Sequence, residues 1–269
     1  MPDHSDASAT NAYWGRDDLE RAILEALKAA GKNLDGLTLD DLAPADQFHG
    51  GGKAATERLA RLAQFSPGTR VLDVGGGLGG PARTLAVQFG CRVTVVDLTE
   101  SYTRAAAAIT ARLGLAGRVS HRVGDALALD VEPGSFDAVW TQNSGMNIAD
   151  KERLYAGFHR VVRPGGLLVV QEPMAGPVQP VVFPLMWARD ASASFLRPPD
   201  QMRAAIEGAG FRMRAWQDIT AEVAGPSGPA PAHSVQRIVM GDALPAIVAA
   251  GQRNREEGRI VTIQAVFER

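Results

Sequence analysis

The stretch Val71-Leu72-Asp73-Val74-Gly75-Gly76-Gly77-Leu78-Gly79-Gly80 decides the reading of this 269-residue chain. It reads as a short apolar strand that closes on a carboxylate and runs into a glycine-rich turn, with helical spacing over residues 81–89. Glycines at such a turn permit positive φ and let backbone come close to a ligand. Two readings are open here, because Gly75, Gly77 and Gly80 also satisfy the dinucleotide fingerprint G-x-G-x-x-G.

The next two strands narrow the choice. Residues 92–97 form a second apolar run, and Asp97 closes it 24 residues after Asp73. A carboxylate there is placed to accept from a ribose diol, which both NAD and S-adenosylmethionine carry. Asp73 helps to separate them. Beside the glycine turn it would repel a pyrophosphate seated on the helix N-terminus, yet attract an α-ammonium. A third strand, residues 119–123, runs into Gly124-Asp125-Ala126, where Asp125 can accept from an adenine amino group. Three carboxylates ending three successive strands suit a cationic, phosphate-free adenosine cofactor.

With these motifs the chain resembles the class I S-adenosylmethionine-dependent methyltransferases. The matching words are Asp73-x-Gly75-x-Gly77-x-Gly79, Asp97, Gly124-Asp125-Ala126 and Arg160-Val161-Val162-Arg163-Pro164-Gly165-Gly166. Phe48-His49-Gly50-Gly51, Asp97-Leu98-Thr99-Glu100 and Gly145-Met146-Asn147-Ile148-x-Asp150-Lys151 resemble the sarcosine/dimethylglycine N-methyltransferase group, over about residues 13–267. The resemblance implies a Rossmann-like α/β fold: a mostly parallel seven-stranded sheet, helices on both faces and an antiparallel last strand. It implies S-adenosyl-L-methionine as methyl donor, S-adenosyl-L-homocysteine as product, and a small amine such as sarcosine or dimethylglycine as acceptor. O- or C-methylation of a secondary metabolite, a non-catalytic cofactor-binding subunit and an NAD-dependent dehydrogenase stand as alternatives.

Residue roles follow from the same resemblance. Asp73 and Gly75 hold the methionyl ammonium, and Gly77 and Gly79 permit close backbone approach. Asp97 takes the ribose with Leu98 beside it, and Asp125 takes the adenine with Ala126. Gln142 or Asn143 lies beneath the reactive methyl. Many relatives carry histidine where Asn143 stands, and an amide cannot act as a base at neutral pH. His49 and Asn143 are therefore the catalytic candidates, His49 because a glycine run beside it is flexible enough to fold over the site. Tyr13, Trp14, Met146, Asn147, Trp187 and His233 are candidates to enclose the acceptor.

Along the chain, residues 17–30 read as a helix, with Leu19, Ile23 and Leu27 on one face. Residues 34–48 read as loop, broken by Gly36 and Pro44, and residues 54–62 as helix. From residue 70 to residue 172 strands and helices alternate, which argues for a parallel sheet wrapped by helices. A proline-rich segment, 173–197, interrupts the pattern before a helix at 199–209 and a strand at 211–219. Residues 224–231 form a Gly/Pro loop, and residues 259–267 an edge strand in an antiparallel hairpin with the sixth. The expected division is a leader over 1–12, an N-terminal helical lid over 13–65 and the cofactor domain over 66–269.

Composition bounds the rest. A net charge of −2 gives no basic footprint, so nucleic acid is not expected as a partner. No run approaches the ~18 apolar residues of a membrane span. The lone Cys91 fits a reducing cytosol, and residues 1–10 lack the features of a signal peptide, so the expected location is cytoplasmic. The histidines are scattered, and no metal site is expected.

Overall fold

A computed structural model describes residues 15–223 and 231–269. The leader, Tyr13, Trp14 and all but the last residue of the Gly/Pro loop lie outside the described residues. The elements run α1 (Leu19–Ala29), α2 (Leu39–Asp46), α3 (Gly52–Ala63), β1 (Arg70–Val74), α4 (Gly80–Gln88), β2 (Arg92–Asp97), α5 (Glu100–Arg112) and β3 (Val119–Val123). They continue β4 (Phe136–Gln142), α6 (Lys151–Val161), β5 (Val162–Ala175), α7 (Pro199–Gly208), β6 (Arg212–Asp218), α8 (Val235–Met240), α9 (Leu244–Glu256) and β7 (Ile260–Glu268).

The seven strands make one sheet in the order β3-β2-β1-β4-β5-β7-β6, parallel except where β7 runs antiparallel to β5 and β6. The order reverses between β1 and β4, and such a switch opens a crevice at the carboxyl ends of the strands. Successive residues feed opposite faces, as a period of two requires. Leu72, Val139, Leu168 and Phe267 pack against Leu154, Phe158 and Ile206 of α6 and α7. Val71, Ala138, Trp140 and Val266 pack against Leu59, Ala60 and Leu85 of α3 and α4. Since α3 shares that second core, the core is continuous across the expected boundary at residue 65.

A third cluster caps the crevice. Leu19, Ile23 and Leu27 of α1 are fully buried with Leu42 of α2, Ile109 of α5 and Val235 of α8. Burying side chains of this size contributes about 1.5–3 kcal/mol each, which holds the cap in place.

Four expectations need correction. Residues 34–48 are not loop, because α2 forms there, started by a capping box: Thr38 Oγ1 accepts from Asp41 N, and Asp41 Oδ2 accepts from Thr38 N. Pro44 is tolerated in so short a helix, where few intrahelical bonds are lost to it. The proline-rich segment begins later than expected, because β5 runs through Pro173. Its pairing with β4 ends at Gln142↔Gln171, so one edge of the strand is free there and a missing N–H is accommodated. β7 is not an edge strand. It lies between β5 and β6 and is buried at seven of its nine residues, whereas β6 forms the edge. Finally, Gly50-Gly51-Gly52 is not a free run. It forms the turn that starts α3, with Gly51 at φ 81° and Gly52 at φ 52°.

Candidate active site

A cavity of about 2120 Å³ opens at the carboxyl ends of β1, β2 and β4. Asp73, Gly75, Gly77, Asp97, Leu98, Asp125 and Ala126 line one end, and Gln142, Asn143, His49, Met146, Asn147 and Trp187 line the wall beyond. Two residues of the expected set do not face it. Gly79 is turned away because it starts α4 with φ 74° and packs on His121, where a Cβ would come within 2.6 Å of the ring. His233 lies just before α8 and does not line the cavity, although its neighbour Ser234 does.

The glycine turn is fixed by backbone geometry. Gly75 takes φ 74°, accepts no side chain because a Cβ would stand 2.3 Å from Ser144 Cβ, and donates its N–H to Val96 O. Asp97 shapes the turn as well. Its Oδ2 accepts from Gly77 N at 2.9 Å and its Oδ1 from Thr99 N at 2.8 Å. Asp125 accepts from Leu127 N at 2.8 Å.

Asp73 is 1% exposed, and its Oδ2 has no hydrogen-bond partner among the described residues. Burial, and then the charge of Asp97, push its pKa up to about 8. A buried carboxylate left in that state is matched to a cation that brings its own N–H donors. The turn and this orphaned oxygen together fit the aminoacid end of S-adenosylmethionine.

Behind Gln142, which lines the cavity, runs an amide ladder. Gln142, Gln171 and Gln264 stand opposite one another on β4, β5 and β7. Gln142 Nε2 and Gln264 Nε2 both donate to Gln171 Oε1, at 3.1 and 2.8 Å. The ladder then ties down the chain above it. Gln171 Nε2 donates to Gly50 O at 3.0 Å, and Gln264 Nε2 to Ala55 O at 2.8 Å.

His49 belongs to the same network. With the proton on Nε2 it donates to Gln47 Oε1 at 2.9 Å, and its Nδ1 accepts from Gln142 Nε2 at 3.1 Å. Thr56 Oγ1 lies within 3.2 Å of both glutamine Oε1 atoms. Burial pushes the His49 pKa down to about 4. The imidazole is therefore neutral at pH 7 and a weak base.

The loop after β4 is held from both sides. Asn143 adopts φ 56°, its N–H donating to Gln171 O at 2.8 Å. Below the loop, wholly buried Glu172 accepts from Gly145 N at 2.7 Å and Ser144 N at 3.2 Å. Lys151, also wholly buried, donates to the carbonyls of Gly145 and Ile148. Burial lowers the Lys151 pKa to about 8 and raises that of Glu172. Asn147 serves the adjoining segment, donating to Trp187 O at 3.0 Å and Ala193 O at 2.8 Å.

Sequence reasoning missed Gln171, Gln264, Glu172 and Lys151. Two signals were present. Gln171-Glu172 interrupts an apolar strand, and Lys151 opens a helix, where the macrodipole disfavours a cation.

Three comparisons bear on this site. Residues 71–166 match the family model described as a methyltransferase domain. The chain is 30% identical over 235 residues to the methyltransferase GfsG of Streptomyces halstedii, covering 86% of this chain and 82% of that protein. It is 33% identical over 175 residues to a glycine/sarcosine/dimethylglycine N-methyltransferase of Actinopolyspora halophila, but that match covers 64% of this chain and spans only 28% of the relative's length. The fold matches a geranyl diphosphate C-methyltransferase from Streptomyces coelicolor A3(2), solved with S-adenosyl-L-homocysteine, at a TM-score of 0.71, 18% identity, and 100% and 99% coverage. Among the described residues, no helix is long and apolar enough to cross a membrane, and no group of three His, Cys, Asp or Glu residues could hold a metal ion.

Proposed function

The chain belongs to the class I S-adenosylmethionine-dependent methyltransferases, and we propose that it methylates an amine nitrogen carried on a bulky, largely apolar small molecule. The observation that carries this reading is the continuity of the cavity. It passes from the carboxylates Asp73, Asp97 and Asp125, past His49 and Gln142, to a lobe where Leu185, Met186, Trp187, Val248 and Ile260 stand beside Gln252, Arg255 and Glu256. Its volume of about 2120 Å³ is roughly twice the upper end of the ~300–1,000 Å³ range usual for one ligand. Cofactor and a large acceptor fit together in this space.

The cofactor supplies an activated methyl on a sulfonium. In this reading Asp73 and the Gly75 turn hold its ammonium, Asp97 its ribose and Asp125 its adenine. The chain's share of the chemistry is alignment and exclusion of water, which lowers the barrier by several kcal/mol through proximity alone.

The choice of nitrogen rests on the wall. His49 is held near pKa 4 and Asn143 is an amide, so neither is matched to deprotonating a hydroxyl at pH 7. An amine needs only to be neutral, and a low-dielectric lobe lowers its pKa by disfavouring the ammonium.

The test is transfer of labelled methyl from S-adenosylmethionine to a panel of N-methylalkylamines of rising chain length, matched phenols, and sarcosine. We expect kcat/KM to rise with the length of the apolar body and amines to exceed phenols. Turnover of sarcosine faster than every longer amine, or of phenols alone, would reject the reading.

A further inference from the structure

One guanidinium on the cavity wall has no role in the site as described. Arg255 is half-buried near the end of α9 and lines the cavity. Its head folds back along the helix, and a Cβ on Gly251 would stand 3.5 Å from Arg255 Nη1. Gly251 lines the cavity too, so the missing side chain leaves room for the charged head on the wall. The same wall carries Val248, Gln252 and Glu256 on α9 and Ile260 at the start of β7.

Among the described residues no hydrogen bond or ion pair reaches the Arg255 side chain. The arginines on either side contrast with it, because Arg253 and Arg259 both pair with Glu257. Burial lowers the pKa of Arg255, and the charge of Glu256 only partly offsets this. The helix under it is anchored, since Asn254 exchanges two 2.7 Å hydrogen bonds with the backbone of Val182. A half-buried guanidinium without a hydrogen-bonded partner gains from a ligand that neutralises it. Its planar fork matches an oxyanion through two parallel hydrogen bonds.

We propose that Arg255 determines specificity by binding a carboxylate on the acceptor, within the α9 lobe of the cavity. This rests on the reading of the cavity as the acceptor's site.

The test uses protein saturated with S-adenosylhomocysteine and titrated calorimetrically with decanoate, decanamide and decyl phosphate. On the native chain decanoate should bind at least tenfold more tightly than decanamide. Arg255→Gln should erase that preference while leaving decanamide and S-adenosylhomocysteine unchanged, and Arg255→Lys should restore it in part. Decyl phosphate binding tighter still, and equally dependent on Arg255, would uphold the oxyanion site but replace the carboxylate with a phosphate. Normal S-adenosylhomocysteine binding with no preference for decanoate, or a preference that survives Arg255→Gln, overturns the proposal alone. Loss of S-adenosylhomocysteine binding with the Arg255-dependent preference intact would instead break the cofactor reading and leave this site standing.

Discussion

Arg83 and Asp46 form an ion pair of 2.9 Å in which the two side chains are 0% and 2% exposed, directly behind the glycine turn. Arg83 also donates to Leu78 O at 2.6 Å and to Thr110 Oγ1 at 2.9 Å. Gly80 lets α4 start against this pair, since a Cβ there would meet Asp46 O at 2.4 Å. The pair thus joins α2 to the turn and to α5. Removing one partner leaves the other charge buried and alone. Asp46→Ala should cost about 3–5 kcal/mol of unfolding free energy, read by urea titration, and Gly80→Ala should also destabilise. A loss below about 1 kcal/mol for Asp46→Ala would mean the pair is solvated in solution.

The glutamine ladder makes a second prediction. Gln171→Leu removes the acceptor shared by Gln142 and Gln264 and the donor to Gly50 O. Groups stranded in this way cost about 1–3 kcal/mol each. Amide hydrogen exchange over residues 47–58 should speed up in the variant, and should slow in the native chain when S-adenosylhomocysteine binds. Unchanged exchange in both comparisons would show that the ladder does not hold this segment.

The raised pKa of Asp73, about 8, sets a pH dependence. The folded chain keeps a proton that the unfolded chain releases near pH 4, so this contribution to stability is complete below pH 4 and is lost as pH rises through 8. Without ligand, Asp73→Asn should therefore gain stability relative to the native chain at pH 9 but not at pH 4. An ammonium opposite Asp73 favours the carboxylate, so S-adenosylhomocysteine binding at pH 6–7 should release a proton. Calorimetry in buffers of different ionisation enthalpy measures it, and Asp73→Asn should abolish the release. Proton release that persists in the variant would place the ammonium elsewhere.

Asp97→Ala should weaken S-adenosylhomocysteine binding by roughly 1.5–3 kcal/mol, through the ribose hydroxyls and through the turn it shapes at Gly77. Asp125→Ala should cost less, because there a neutral adenine donor pairs with a single carboxylate. Native affinity in both variants would remove the cofactor assignment from this sheet edge.

If no side chain acts as the base, kcat/KM should rise with pH towards the amine's own pKa in solution. His49→Gln should then retain activity within about tenfold, roughly 1.4 kcal/mol, while losing stability as the network around Gln47 and Thr56 is disturbed. A thousandfold loss with cofactor affinity intact would make His49 a base and favour a hydroxyl acceptor.

The sequence by itself determined the strand, turn and helix at the head of the sheet. Strand, carboxylate, glycine turn and helix lie consecutively from Val71 to Phe89, and local chain chemistry dictates each piece. Asp97, which ends β2, and Asp125, two residues past β3, are likewise legible because the pattern of each strand reveals it. Tertiary structure alone decided what lies beneath and beyond. Gln142, Gln171 and Gln264 become one ladder only when β7 inserts between β5 and β6. An amide within a strand carries no mark of a partner 29 or 93 residues away. Asp46 and Arg83, 37 residues apart, are ordinary surface residues until the core closes over them. That Arg255 lines the cavity while Gly79 and His233 do not was equally invisible, because each depends on the packing of α4, α8 or α9 and not on the residue's own neighbours in the chain.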